Sequence, residues 1–242
     1  MDFGRAKNVL IYAFFLLNLV LGYQLWSDMR EQADANLDLT ALGGNVQRVM
    51  EEKDIQVLSP IPSETPELYK IVYRYKQEEA SGVTELEKPV DSKLVFMGSD
   101  LTAAIGDQIP ELSEYLFDPL LSQVGTFIFH PLVAERWPLF NDQLLLYSSD
   151  QKIVSYEQAP IEIQLSNEEE PVKVLPAAKA LGTLIENYFP EGSIVKDIQL
   201  GYYGPVFNSD SQVAAPAWRV MLESGKVYYV QGISGDVFSP ET

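Results

Sequence analysis

VLIYAFFLLNLVLGYQLW, residues 9–26, is a run without a single charge, and its reading decides how the rest of the chain is organised. A helix rises about 1.5 Å per residue, so the run reaches roughly 27 Å, close to the roughly 30 Å hydrocarbon thickness of a bilayer. A helix satisfies its backbone polar groups internally, which lipid cannot do for it. Arg5 and Lys7 precede the run, whereas Asp28, Glu31 and Asp34 follow it against Arg30 alone. That bias predicts a cytoplasmic N-terminus and an extracytoplasmic body, a single-pass protein of the cell membrane.

A cleaved signal peptide is the competing reading, because Ala33-Asp34-Ala35 fits an A-x-A cleavage pattern. Three features favour a retained anchor. The apolar run exceeds the usual h-region of about 7–15 residues. The Ala-x-Ala lies beyond bulky Tyr23 and Trp26 and beyond charged Asp28, Arg30 and Glu31. Tyr23 and Trp26 also stand where interfacial aromatic anchors belong. No Cys follows the run, which excludes a lipoprotein anchor.

Within the run, Asn18 falls mid-membrane and Gly22 one turn on, on the same face as Ile11, Phe15 and Leu25. A buried amide seeks a partner, and a small residue beside it lets another backbone approach. An interhelical hydrogen bond of this kind contributes about 0.6–2 kcal/mol. Asn18 and Gly22 are therefore the candidate intramembrane contact residues. The plainer alternative is one tolerated Asn that packs on nothing. Gln24 lies near the interface and can snorkel there.

Most of the 242 residues lie beyond this run, enough for one large or two small domains. A hydrophobic fraction of 46% with 15 Gly and 15 Pro is a globular composition. Zero Cys removes disulfides, thiol chemistry and Cys-ligated metals. The whole chain carries −18 and its first 26 residues +1, leaving −19 on the remainder. Such a body repels nucleic acid and anionic lipid or wall polymers. Solubility is the plain explanation for the charge, and a basic partner the sharper one.

Periodicity predicts a helix from Thr40 as N-cap through Leu42, Val46 and Val49 to about Lys53, weakened by Gly43-Gly44. Strands are predicted at 55–58 and 68–76, with an extended Pro60-Pro62-Pro66 segment between them. Residues 77–93 are charged and predict an exposed hairpin or loop; 94–97 predicts a short strand. Asp100 predicts a helix across 101–117, broken at Pro110 into a second helix. Strands follow at 124–129, 144–147, 153–156 and 161–165. NEEEP, 167–171, is the candidate boundary between two lobes. Beyond it are predicted a helix at 177–188, strands at 194–203, 218–222 and 227–231, and a short strand at 237–238. Hairpin-length turns favour α+β lobes with antiparallel sheets and packed helices over a parallel array.

Chemistry is sparse. His130 is the only histidine, no G-x-S-x-G elbow accompanies any Ser, and no dinucleotide fingerprint, P-loop or H-E-x-x-H occurs. Glu78-Glu79 and Glu168-Glu169-Glu170 admit readings as calcium ligands or a glycosidase pair, but both lie in polar loops, where solvated charge is the default. The expectation is no catalytic residue, no cofactor, no metal and no nucleic-acid partner.

The opening MDFGRAKNVLIYAFFLLNLVLGYQL, then SYEQAPIEI, LGYYGPVF at 200–207, PAWRV and VYYVQG occur in an order that resembles the YycI branch of the YycH/YycI regulatory family. The resemblance covers nearly the whole chain; the acidic loop at 77–93 and the NEEEP insertion depart from it. The C-terminal stretch also looks somewhat like PepSY-type domains, which are linked to protease inhibition. The implied organisation is a cytoplasmic head (1–8), a transmembrane helix (9–26), a juxtamembrane helical stalk (27–54), a first α+β lobe (55–166) and a second, PepSY-like α+β lobe (167–242).

The resemblance implies a non-enzymatic, membrane-anchored regulator. It would restrain the WalK (YycG) sensor histidine kinase of the WalK/WalR two-component system, which controls cell-wall metabolism, acting with a YycH-type partner through transmembrane contacts. The alternative is a tethered PepSY-like module that binds a peptide or inhibits a protease, for which a groove beside Tyr202, Tyr203 and Trp218 would be open; core packing is the plain reading of those aromatics. A wall hydrolase with paired carboxylates is the third possibility, and it needs two carboxyl groups about 5–9.5 Å apart in a cleft.

Overall fold

The computed structural model describes residues 41–76, 82–165 and 170–239, together with Phe14 and Asn18. Among these no helix is long and apolar enough to cross a membrane. Apart from Phe14 and Asn18, residues 9–26, Gly22 among them, lie outside the described residues, as do Thr40 and the rest of the first half of the 27–54 stalk.

The first regular element is helix α1 (Gly44–Glu52). Short strands β1 (Gln56–Val57) and β2 (Glu67–Leu68) flank the proline-rich segment, and β3 (Ile71–Tyr75) follows. The long strand β4 (Val83–Asp91) leads through a 3-10 turn at Ser92–Phe96 into α2 (Gly98–Ile105). Next come β5 (Tyr115–Gln123), β6 (Thr126–Val133), β7 (Trp137–Pro138), β8 (Leu144–Ser149), β9 (Lys152–Gln158) and β10 (Ile161–Leu165). The chain closes with β11 (Val172–Lys173), α3 (Ala177–Asn187), β12 (Ile194–Tyr203), β13 (Ser211–Leu222), β14 (Val227–Gln231) and β15 (Val237–Phe238).

Among the described residues the fold is α+β, with a six-stranded sheet, a seven-stranded sheet and a small β2–β11 pair. The six-stranded sheet runs β4-β9-β8-β6-β5, with β7 added to β6. The seven-stranded sheet runs β1-β12-β13-β14-β15, and β3 joins β13 while carrying β10 on its other side. Pairing within both is antiparallel except β1 on β12. Sheet membership does not change at residue 167: β1, β3 and β10 precede that position yet belong with β12–β15.

Helix α3 buries Leu181, Leu184 and Ile185 completely against the seven-stranded sheet, in one core with Trp218, Val220 and Val230. Full burial of each such aliphatic side chain contributes about 1.5–3 kcal/mol. Helix α1 docks on α3. A Cβ on Gly182 would meet Val46 Cγ2 at 3.3 Å, so the missing side chain there admits the α1 stripe. Lys53 Nζ donates to the carbonyls of Ile185 (2.9 Å), Glu186 (3.2 Å) and Phe189 (3.4 Å), placing a cation on the C-terminal carbonyls of α3.

Three expectations are corrected. Residues 83–91 form a strand, not a loop: β4 lies at the sheet edge and turns mainly Leu86 and Val90 inward, so its charges face water. The strand expected at 94–97 is 3-10 helical. The second helix expected after Pro110 is only a 3-10 turn at Leu112–Glu114, followed by strand β5 from Tyr115 onward, bulged between Asp118 and Gln123. The bulge arises because the Asp118 carboxylate accepts the N–H groups of Leu120 (3.0 Å) and Leu121 (3.2 Å), drawing the backbone out of the ladder.

Candidate functional site

The two large sheets meet along the 137–142 segment. Phe140 donates its N–H to Tyr202 O (2.9 Å), and Leu139 bridges Tyr202 in a parallel sense. The Asn141 side chain clamps Gly204, donating to its carbonyl (2.7 Å) and accepting its N–H (2.8 Å). A Cβ on Gly201 would fall 2.4 Å from Pro138 O and 2.6 Å from the Phe140 ring. A Cβ on Gly204 would fall 2.1 Å from Val213 O. The two glycines of LGYYGPVF are thus required by close backbone approach.

Behind this seam lies a buried polar joint. Arg219 on β13 is 2% exposed and pairs with the Asp118 carboxylate of β5 across the sheets. Its other guanidinium nitrogen donates to Gln199 Oε1 (2.8 Å) and lies 3.6 Å from Asp197. The Phe140 ring closes the cation from below, 4.7 Å from the guanidinium carbon. His130 Nδ1 faces the Asp142 carbonyl at 2.9 Å, which fixes a hydrogen on Nδ1, and Nε2 lies 3.3 Å from Asp118 Oδ2 but out of line for a hydrogen bond.

Burial alone would raise Asp118, yet the adjacent His130 ring and the Arg219 guanidinium overcome it and hold the carboxyl well below the usual range. Asp142 shows the opposite balance. Burial pushes its carboxyl up to about 6, against a Gln143 N–H bond and the nearby His130. Burial likewise raises Asp197, and it pushes the Tyr229 hydroxyl up to about 12.

A cavity of about 230 Å³ opens on the joint between Leu116, Pro119, Asp197 and Gln199. The charges lining it are turned on one another, and the one imidazole is tethered at Nδ1 to a carbonyl. This arrangement joins two sheets; it presents no nucleophile beside a base. Among the described residues no group of three or more His, Cys, Asp or Glu is placed to hold a metal ion.

Asn18 is helical, and its Nδ2 donates to Phe14 O at 2.9 Å, so one of its two donors is used within its own helix. Gly22 and the Glu78, Glu79, Glu168 and Glu169 carboxylates lie outside the described residues. Tyr202 and Trp218 are 2% and 1% exposed, and Tyr203 stacks on Tyr229 with centroids 3.9 Å apart. Tyr202 and Trp218 are core, the plain reading of them, and the half-buried Tyr203 ring is covered by Tyr229. Asp118, Asp142 and Arg219 were not legible as partners. The signal was a lone cation inside the apolar strand AAPAWRVML and a lone carboxylate in YLFDPLL.

Fold and site together define an α+β protein of two antiparallel sheets locked by a buried ionic joint. A family model described as YycI protein matches residues 88–233, which takes in the joint and most of both sheets. The chain belongs to the YycI family. The link to the WalK/WalR system comes with that family as an implication.

No curated protein matches the chain. Among solved structures, the C-terminal domain of Bacillus megaterium YpeB is similar at 9% identity and a TM-score of 0.38, over 65% of this chain and 68% of that one. An uncharacterised protein from Eubacterium rectale is similar at 14% identity and a TM-score of 0.32, over 65% of this chain and 46% of that one. Neither score is high enough to assign a shared fold.

Proposed function

We infer that this protein is a membrane-anchored, non-enzymatic regulator that restrains a WalK-type sensor histidine kinase together with a YycH-type partner. The observation that carries the reading is the family match across residues 88–233. In this reading residues 9–26 form a single transmembrane helix with its N-terminus in the cytoplasm, and the two-sheet body stands outside the cell. Helix α1, docked on α3 by Val46 and Lys53, ties the segment that follows the span to the seven-stranded sheet. A displacement of the body would then reach the membrane helix through a packed contact. A coupling of about 1–3 kcal/mol changes kinase activity roughly 5–150-fold, so a few intramembrane contacts suffice in size.

Asn18 and Gly22 are the proposed contact residues. The Asn18 bond to Phe14 O leaves amide capacity for a partner helix. The test is co-purification of the full chain with the kinase and the YycH-type protein from membranes. The expected result is a complex that Asn18→Leu weakens. Recovery unchanged by Asn18→Leu removes Asn18 from the interface, and no complex with the unaltered chain overturns the reading.

A further inference from the structure

Away from the joint, a groove of about 730 Å³ lies beside β10. Its floor is apolar, made by Ile161, Ile163, Leu165, Tyr115 and Val133, and Glu111, Glu114 and Glu135 rim it. Lys76 engages Glu111 at 3.0 Å; among the described residues no cation is paired with Glu114 or Glu135. The backbone around the groove is strained: Glu111, Ala134 and Glu135 all have positive φ (55°, 51° and 56°) without being glycine. Such strain concentrates at ligand clamps and other functional positions.

Strand β10 is an edge. Among the described residues it pairs only with β3, in the register Ile161↔Tyr75 to Leu165↔Ile71. Lys76 N–H bonds Pro160 O at 2.9 Å, which makes that pair a hydrogen-bonded one. Hydrogen-bonded pairs alternate along an antiparallel ladder. Glu162 and Gln164 therefore bond to β3, and the N–H and C=O groups of Ile161, Ile163 and Leu165 point to the open edge. The residues that line the groove with side chains are the same ones that offer unpaired main chain.

We propose that this edge receives an extended segment of a partner protein in which apolar residues alternate with Lys or Arg. The added strand takes main-chain hydrogen bonds from Ile161, Ile163 and Leu165. Its apolar side chains sit on the groove floor, and its cations, which start from the alternate face, reach over the rim to Glu114 and Glu135 on their long flexible stems. A second copy of this chain is disfavoured as occupant, since the −18 net charge sets like rims against each other. The proposal stands apart from the kinase reading, and its test reads neither the span nor the kinase.

The probe is a labelled ten-residue peptide of alternating Lys and Val, titrated by fluorescence anisotropy against the full chain in detergent. Controls are the Glu-Val counterpart and a Lys-Val peptide with Pro at every second apolar position. Ile163→Pro removes an outward N–H while leaving the β3 ladder intact. The doubly reversed variant Glu114→Lys with Glu135→Lys leaves the edge intact and inverts the rim. The expected result is saturable binding of the Lys-Val peptide alone, weakened at least tenfold by the rim reversal and lost in Ile163→Pro. Binding of all three peptides alike, no binding of the Lys-Val peptide, or binding untouched by the rim reversal overturns the proposal. So does a dimer of the unaltered chain that Ile163→Pro dissolves, which assigns the edge to a second copy.

Discussion

The polar joint and the β10 groove use charge in opposite ways. In the joint, Asp118, His130 and Arg219 are each no more than 5% exposed, and opposite signs face one another. At the groove, Glu111, Glu114 and Glu135 are exposed and of one sign around an open apolar floor. A buried charge must be paired to be tolerated, whereas an exposed one of single sign is stable and available. The first arrangement holds the sheets in one relation; the second leaves a surface to be completed by something else. Substitutions in the joint should therefore cost stability, and substitutions at the groove should not.

The largest effect is expected at the joint. Arg219→Met strands the Asp118 carboxylate, and urea unfolding at pH 7 should show a loss of about 3–5 kcal/mol. Asp118→Asn combined with Arg219→Met should recover part of that loss, because the orphaned charge is gone while the side-chain oxygen still accepts the Leu120 and Leu121 N–H groups. A single variant as stable as the unaltered chain would break the comparison.

Asp142 sharpens it through pH. Its folded value, about 6, lies above its ordinary 3.8, so the folded state binds the proton more tightly. The resulting stabilisation is full below the ordinary value and is lost as pH rises through about 6. Asp118 has the opposite sign: its lowered value stabilises the fold above the usual carboxylate range, and that contribution is lost in acid. Asp142→Asn should remove only the first effect. The difference in unfolding free energy between Asp142→Asn and the unaltered chain should grow by roughly 2–3 kcal/mol between pH 4 and pH 7.5. A pH-independent difference would mean that Asp142 is not held in a desolvated site.

The seam comes next. Gly201→Ala pushes a methyl against Pro138 O and Phe140, and the overpacking should cost about 1–3 kcal/mol in the same unfolding assay. The smallest effect is at the groove, where Glu114→Gln should change stability by no more than about 0.5 kcal/mol. A larger loss there would make the rim part of the scaffold.

How much of this was legible in the sequence follows from how local each signal is. IEIQL alternates cleanly and folds as β10, and Ile194–Tyr203 is a strand over the residues its composition indicated. Helix α3 carries its apolar face at helical spacing and ends one residue from the expected position. Strand β4 was hidden because an edge strand needs only a few inward side chains. Strand β5 was hidden because its first residues fall in the stretch read as a helix restarted by Pro110, and because Pro119 sits in the bulge between Asp118 and Gln123, where a strand tolerates it. The joint was hidden most deeply: Asp118 and Arg219 stand 101 residues apart, and no periodicity links a lone carboxylate to a lone guanidinium. For Tyr202 and Trp218 core packing was the plain reading and an open groove the alternative, and the sheet places both inside.

The central claim is that residues 9–26 act as a contact surface and not only as a tether. The direct measurement is phosphorylation of the cognate response regulator in cells whose sole copy of this protein carries an unrelated span of equal length and flanking charge. The account predicts that restraint of the kinase is lost although the body remains anchored outside. Restraint undiminished with the foreign span would contradict it.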